Sequence, residues 1–202
     1  MANVIKLGGL RLKTAAVDQP LMVCLHNAAE RLGIGDPVKS AGDSGQVTGV
    51  PGPYTKTVAL IASGDPIFGV VEGVLNEMVA SSMNLDIRYA ASAVSTYVLV
   101  RPANFQDQYA ISNDGTLATA SVGLNANLTG NGGGTTITQC DTKSGQSTLL
   151  LDTSTAATTA TLQVKIQAFE DTCDNDPASA NASVLVTLNN IENAGGTGTI
   201  GL

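Results

Sequence analysis

The single histidine, His26, follows Cys24 by two residues in a chain of 202. In an extended strand both side chains would face one side, as a metal-ligand pair or a Cys–His couple requires. One His and one Cys do not complete a zinc site, and the remaining thiols, Cys140 and Cys173, lie far along the chain. No Gly-x-Ser-x-Gly elbow is present, so any Ser–His–Asp or Cys–His chemistry would have to run through His26 alone. The expectation for His26 is therefore structural.

The second candidate is Glu170-Asp171-Thr172-Cys173-Asp174-Asn175-Asp176, which places four acids and an Asn within seven residues. Such oxygen-rich stretches bind Ca²⁺ when their carboxylates converge, and Asp171, Asp174 and Asp176 are the candidates. The EF-hand order, with a central Gly and a Glu at position twelve, is absent. A solvated acidic connection between two strands is the expectation here. Gly130-Asn131-Gly132-Gly133-Gly134 lacks the Lys-Ser/Thr of a phosphate loop and reads as a flexible connection. Asn127-Leu128-Thr129 and Asn181-Ala182-Ser183 match the glycosylation sequon, which carries no meaning without secretion. No paired carboxylates, metal cluster or nucleophile constellation stands out. A non-enzymatic protein with no cofactor, no metal and no catalytic residues is expected.

The elements that carry these residues are organised around a repeated phrase, Gly35-Asp36-Pro37-Val38 and Gly64-Asp65-Pro66-Ile67. Asp before Pro is pushed out of the helical region, and Pro fixes φ, so each phrase reads as a turn that opens into a strand. Strands are expected at Pro20–Cys24, from Val38, at Thr57–Ile61, Ile67–Leu75, Leu85–Tyr89, Thr96–Val100 and within Asn104–Ile111. Weaker apolar stretches follow at Val122–Leu128, Ile137 and Leu149–Leu151. The best strand expectations are Leu162–Ile166, which alternates with Gln163, Lys165 and Gln167, and Val184–Leu188, which alternates less cleanly because Leu185 lies between. Gly69 and Gly73 are expected to mark bulges or bends. Ala41–Pro53 reads as loop, Asn27–Glu30 as one capped helical turn, and Glu77–Met83 as another short turn. Many short strands and no long helical period predict an all-β domain, a β-sandwich or jelly roll or a small β-barrel.

Composition agrees. Charged residues make up 13%, seven Phe and Tyr are the only aromatics, and the core must be aliphatic. The net charge of −7 is opposite to what phosphate neutralisation demands, so no nucleic-acid role is expected. The N-terminal stretch reads as no signal peptide, and no run is long and apolar enough to span a membrane. Three cysteines without CxxC spacing suit reduced, buried thiols, with at most one internal disulfide.

Several stretches, in order, resemble the capsid decoration (cement) proteins of tailed bacteriophages. They are Gly64-Asp-Pro-Ile-Phe-Gly-Val-Val-Glu-Gly73, Leu85-Asp-Ile-Arg-Tyr-Ala-Ala-Ser92 and Thr96-Tyr-Val-Leu-Val100. Asp152-Thr-Ser-Thr-Ala-Ala-Thr-Thr-Ala-Thr-Leu162 with Lys165-Ile166, and Gly195-Gly-Thr-Gly-Thr-Ile-Gly-Leu202, complete the set. The resemblance covers roughly Gly35 to Leu202, while the first 34 residues and the acidic loop at 170–176 depart from it. It implies a structural virion protein on the outer surface of the phage head, assembled in the host cytoplasm, that cements neighbouring capsid subunits. The implied partners are the major capsid protein and further copies of the chain, as a homodimer or homotrimer. An N-terminal arm at 1–19, a β-rich decoration domain at 20–192 and a C-terminal tail at 193–202 are expected, with arm and tail ordering on the shell. A head fibre base or tail protein is the nearest alternative. A secreted β-sandwich adhesin or carbohydrate-binding module would need a leader and exposed aromatics.

Overall fold

The computed structural model describes residues 3–16, 18–27, 29–47, 52–75, 88–130 and 140–192. In chain order the strands are β1 (Arg11–Thr14), β2 (Met22–His26), β3 (Pro37–Gly45), β4 (Thr55–Leu60), β5 (Gly69–Leu75) and β6 (Thr96–Pro102). They continue as β7 (Gln108–Ser112), β8 (Asn125–Ala126), β9 (Leu128–Thr129), β10 (Leu150–Leu151), β11 (Val164–Phe169) and β12 (Ser183–Leu188). The described residues contain 3-10 turns at Thr119–Ser121 and Thr153–Thr155 but no α-helix, so the all-β expectation is met.

Five strands close a barrel in the order β2-β4-β3-β5-β6, and five others form an open sheet ordered β1-β7-β12-β11-β8. β9 and β10 make a separate ribbon. Every barrel pairing is antiparallel except β2 with β4. The barrel strands send Cys24 and the β-branched Val38, Val58, Val98 and Val100 into the core. The same core takes Tyr109, Ile111, Val164, Ile166, Val184 and Val186 from the sheet, so barrel and sheet share one interior. Each such fully buried aliphatic side chain contributes about 1.5–3 kcal/mol. On another face of the barrel, Tyr97 packs with Leu25 and Val47 in a smaller cluster. Its hydroxyl accepts from the Val47 amide and donates to the Pro53 carbonyl, which straps the β3–β4 connection over the strands.

β5 carries its glycines as expected. The pairing with β6 slips between Val71 and Gly73, and a Cβ on Gly69 would collide with the Arg101 carbonyl and with Val100. Other boundaries differ from the sequence reading. Ala41–Gly45 is not loop: it continues β3 past a register shift between Ser40 and Ser44, because β4 supplies partners that composition could not announce. Positions 29 and 30 form a bend where a helical turn was expected at Asn27–Glu30, and the Glu30 carbonyl there meets the His26 ring. Within Asn104–Ile111 only the end joins a strand, β7, after a turn at 105–106. Of Leu85–Tyr89, only Arg88 and Tyr89 are described; Tyr89 is a bend, and Ala90 bridges Leu32. The expected Glu77–Met83 turn, Ile137 and the tail at 193–202 lie outside the described residues.

The largest correction concerns the arm expected over 1–19. Residues 11–14 are the edge strand of the sheet, paired with β7, and Leu10 is a core residue. The Gly8 amide donates to the Ser147 carbonyl, and the Leu10 amide to the Gly35 carbonyl. This segment completes the domain. Its removal would strip a strand and a core side chain from the fold.

Candidate functional site

The N-terminal segment and the acidic loop, which looked unrelated in sequence, are each other's partners. Lys6 Nζ lies 3.1 Å from Asp174 Oδ2, and Lys13 Nζ lies 2.5 Å from Glu170 Oε1. Asn3 makes a reciprocal pair with the backbone of Asp176, its Nδ2 donating at 2.8 Å and its Oδ1 accepting at 2.9 Å. Arg11 Nη2 donates to Ser183 Oγ, which itself donates to Glu170 Oε2 at 2.6 Å. Asn175 staples the loop from within by donating to the Glu170 and Ser183 carbonyls and accepting from the Ser183 amide.

Electrostatics follow these contacts. Partial burial would raise the Glu170 carboxyl, but its hydrogen bonds from Lys13 and Ser183 outweigh this and hold it below the usual range. Thr172 and Lys6 lower Asp174, and Ser179 with the Ala178 amide lowers Asp176. The loop is thus not simply solvated: three of its four acids are engaged by the protein itself. Among the described residues no three His, Cys, Asp or Glu side chains stand close enough together to hold a metal ion. An open pocket of about 480 Å³ remains between the segment and the loop, lined by Asn3, Val4, Lys6, Cys173, Asp174 and Asn181 among others. Cys173 is exposed there.

His26 and Cys24 lie on β2 as the spacing suggested, and both are fully buried. His26 Nε2 lies 2.8 Å from the Glu30 carbonyl, and Nδ1 lies 3.4 Å from the Val58 carbonyl. The shorter contact assigns the ring proton to Nε2, so the imidazole ties the bend after β2 to the barrel. Burial pushes the Cys24 thiol up to about 11 and the Cys140 thiol up to about 12, which keeps both protonated and poorly nucleophilic. Asn127 and Asn181 serve locally: the Asn127 amide is bonded to Thr155 Oγ1, and Asn181 takes a positive φ of 61°. Gly130 is the last described residue before the glycine-rich stretch, whose remainder lies outside them.

A buried carboxyl that sequence reasoning passed over is Asp36. It is fully inaccessible, and burial pushes its pKa up to about 7 against the lowering effects of Ser147 and the Gly33 amide. The sequence signal was present in the Gly-Asp-Pro phrase, but nothing in it distinguished Asp36 from Asp65.

No family model, curated protein sequence or solved structure matches the chain. No helix among the described residues is long and apolar enough to cross a membrane.

Proposed function

We propose that this protein is a structural component of a phage virion that binds the outer surface of the head and cements neighbouring capsid subunits. The observation that carries this reading is the ordered resemblance from Gly35 to Leu202. Supporting it, the acidic balance of −7 disfavours contact with packaged DNA. The polar side chains singled out for chemistry are also spent on holding segments together: His26 on the bend, Glu170 and Asp174 on the N-terminal segment, and Asp176 on its own loop.

The mechanism is mass action on the assembled state. A cement protein with affinity for junctions between subunits, and little for free subunits, stabilises the shell by its binding free energy. Several modest contacts suffice, because copies joined in a dimer or trimer engage neighbouring subunits at high effective concentration. Since residues 3–16 are docked on the domain, the clamping role passes to the tail at 193–202 and to exposed apolar residues such as Tyr54. The test is mass spectrometry of purified particles, followed by binding of the purified protein to undecorated heads. Presence in virions and a raised rupture temperature of decorated heads are the expected results. Absence from purified virions would remove the reading.

A further inference from the structure

Asp36 sits where three parts of the chain cross. The Gly35 amide donates to Val71 of the barrel, the Ile34 amide to Gly145, the Ser147 amide to Ile34, and the Leu10 amide of the N-terminal segment to Gly35. Glycines make the crossing possible. A Cβ on Gly35 would overlap the Gly8 carbonyl, one on Gly9 would overlap the Ser147 side chain, and one on Gly33 would overlap Cys140 and the Gly145 carbonyl. Asp36 Oδ2 accepts from the Gly33 amide at 2.7 Å, the Ser147 hydroxyl also acts on the carboxyl, and the buried Oδ1 has no partner.

The surrounding charges do not compensate it. The 140–147 segment brings the neutral Cys140, the Ser147 hydroxyl and Asp141, the last bonded to Ser144. The N-terminal segment brings Arg11, directed to Ser183. β5 brings Glu72, paired with Arg101. Arg31, two residues before Gly33, acts on Cys140, and Arg88 lies beside Gly145. A carboxylate here would be desolvated, with only the Ser147 hydroxyl and the Gly33 amide to favour it.

We propose that Asp36 is a proton-operated clasp: as the neutral acid it holds the N-terminal segment and the 145–147 segment on the barrel, and loss of its proton favours their release. This is independent of the shell-binding reading. The direction follows from linkage. The released state has an ordinary carboxyl, while the closed state keeps its proton up to about pH 7. The closed state therefore binds the extra proton between about pH 4 and that value, and its advantage falls as pH rises through this window, then levels off.

The test is amide hydrogen exchange on the full chain from pH 5 to 8.5, with rates corrected for the intrinsic pH dependence of exchange. In the wild-type protein, protection at residues 8–10 and 145–149 should fall by up to about tenfold per pH unit below neutrality and then level, while that of β6 stays constant. Asp36→Asn should remove the trend. Ser147→Ala, which withdraws a hydroxyl favouring the carboxylate, should move the levelling point to higher pH. Should Asp36→Asn fail to fold, the wild-type and Ser147→Ala profiles decide. Protection at 8–10 and 145–149 that does not vary with pH, or that falls equally in β6, would overturn the clasp.

Discussion

The two Gly-Asp-Pro turns have the same local geometry and opposite surroundings. In each, the Asp amide donates back to the carbonyl three residues earlier, Gly33 or Ala62, and the Asp Oδ2 accepts from that residue's amide. In each, glycine takes the left-handed position of a type II turn, with φ of +88° at Gly35 and +87° at Gly64. The strands they open even pair with each other, Pro37 opposite Val70 and Val38 opposite Gly69. Yet the first turn is buried under the N-terminal segment, while the second lies at the surface with Asp65 bound to Lys39 at 2.6 Å. Both turns join the barrel to the rest of the molecule. The first does so by backbone crossing through glycine. The second does so through side chains: Gln163 Nε2 donates to the Ala62 and Asp65 carbonyls, and Asn190 Nδ2 to those of Gly64 and Thr161. The same three residues set a turn in both places, and the packing around them decides what the carboxyl does.

The widest separation between the turns should come from alanine at the glycines. Gly64→Ala meets open space and bears only the left-handed backbone cost, about 1 kcal/mol. Gly35→Ala adds a collision with the Gly8 carbonyl and should cost about 3–5 kcal/mol, read by urea unfolding. Equal losses would show that the first crossing relaxes freely and would erase the comparison.

The second joint should be more sensitive to a side chain than to its glycine. Gln163 is fully buried and also accepts from the Leu128 amide, so Gln163→Ala removes three hydrogen bonds to backbone groups, of which the Ala62 carbonyl keeps its bond from the Asp65 amide. A loss of about 2–4 kcal/mol in the same unfolding measurement is expected. A loss below about 1 kcal/mol would mean that water replaces the side chain and that the joint is looser than drawn.

The smallest effect belongs to Asp65. Partial burial would raise its carboxyl, but hydrogen bonds from Lys39 and the Ala62 amide, with the Lys39 charge, bring it below the usual value. Its contribution is present above the unfolded pKa near 4 and is lost as pH falls through the lower folded value, the opposite slope to Asp36. Asp65→Asn should cost at most about 1 kcal/mol at pH 7 because the pair is partly exposed, less in high salt, and progressively less as pH falls through the folded value. A cost that does not shrink on acidification would show that the aspartate acts through shape alone.

Much of the strand inventory could be read from period and turn chemistry. β4, β6, β11 and β12 fall within a few residues of their expected positions, because β11 alternates over its first residues and the others are short runs rich in Val, Leu and Thr. β1 was invisible: Arg11-Leu-Lys-Thr14 is a short edge strand whose charges discourage further pairing, and such strands carry little apolar signal. The partnership of Lys6, Arg11 and Lys13 with the loop at 170–183 was equally hidden. Contacts across more than 150 residues leave no local pattern, so the basic segment and the acidic loop read as two unrelated surface features.

What the sequence determined by itself is the class of fold, the place of its turns and the aliphatic nature of its core. These depend on local sterics of Gly and Pro and on side-chain alternation, which act over a few residues. The tertiary structure decided that the chain closes a five-stranded barrel beside an open sheet, and that its first nineteen residues contribute a strand to that sheet. It also decided that one aspartate of a repeated phrase is sealed in while the other faces solvent. Desolvation and ion pairing depend on which distant segments come to rest beside a group, and two identical tripeptides cannot specify that difference.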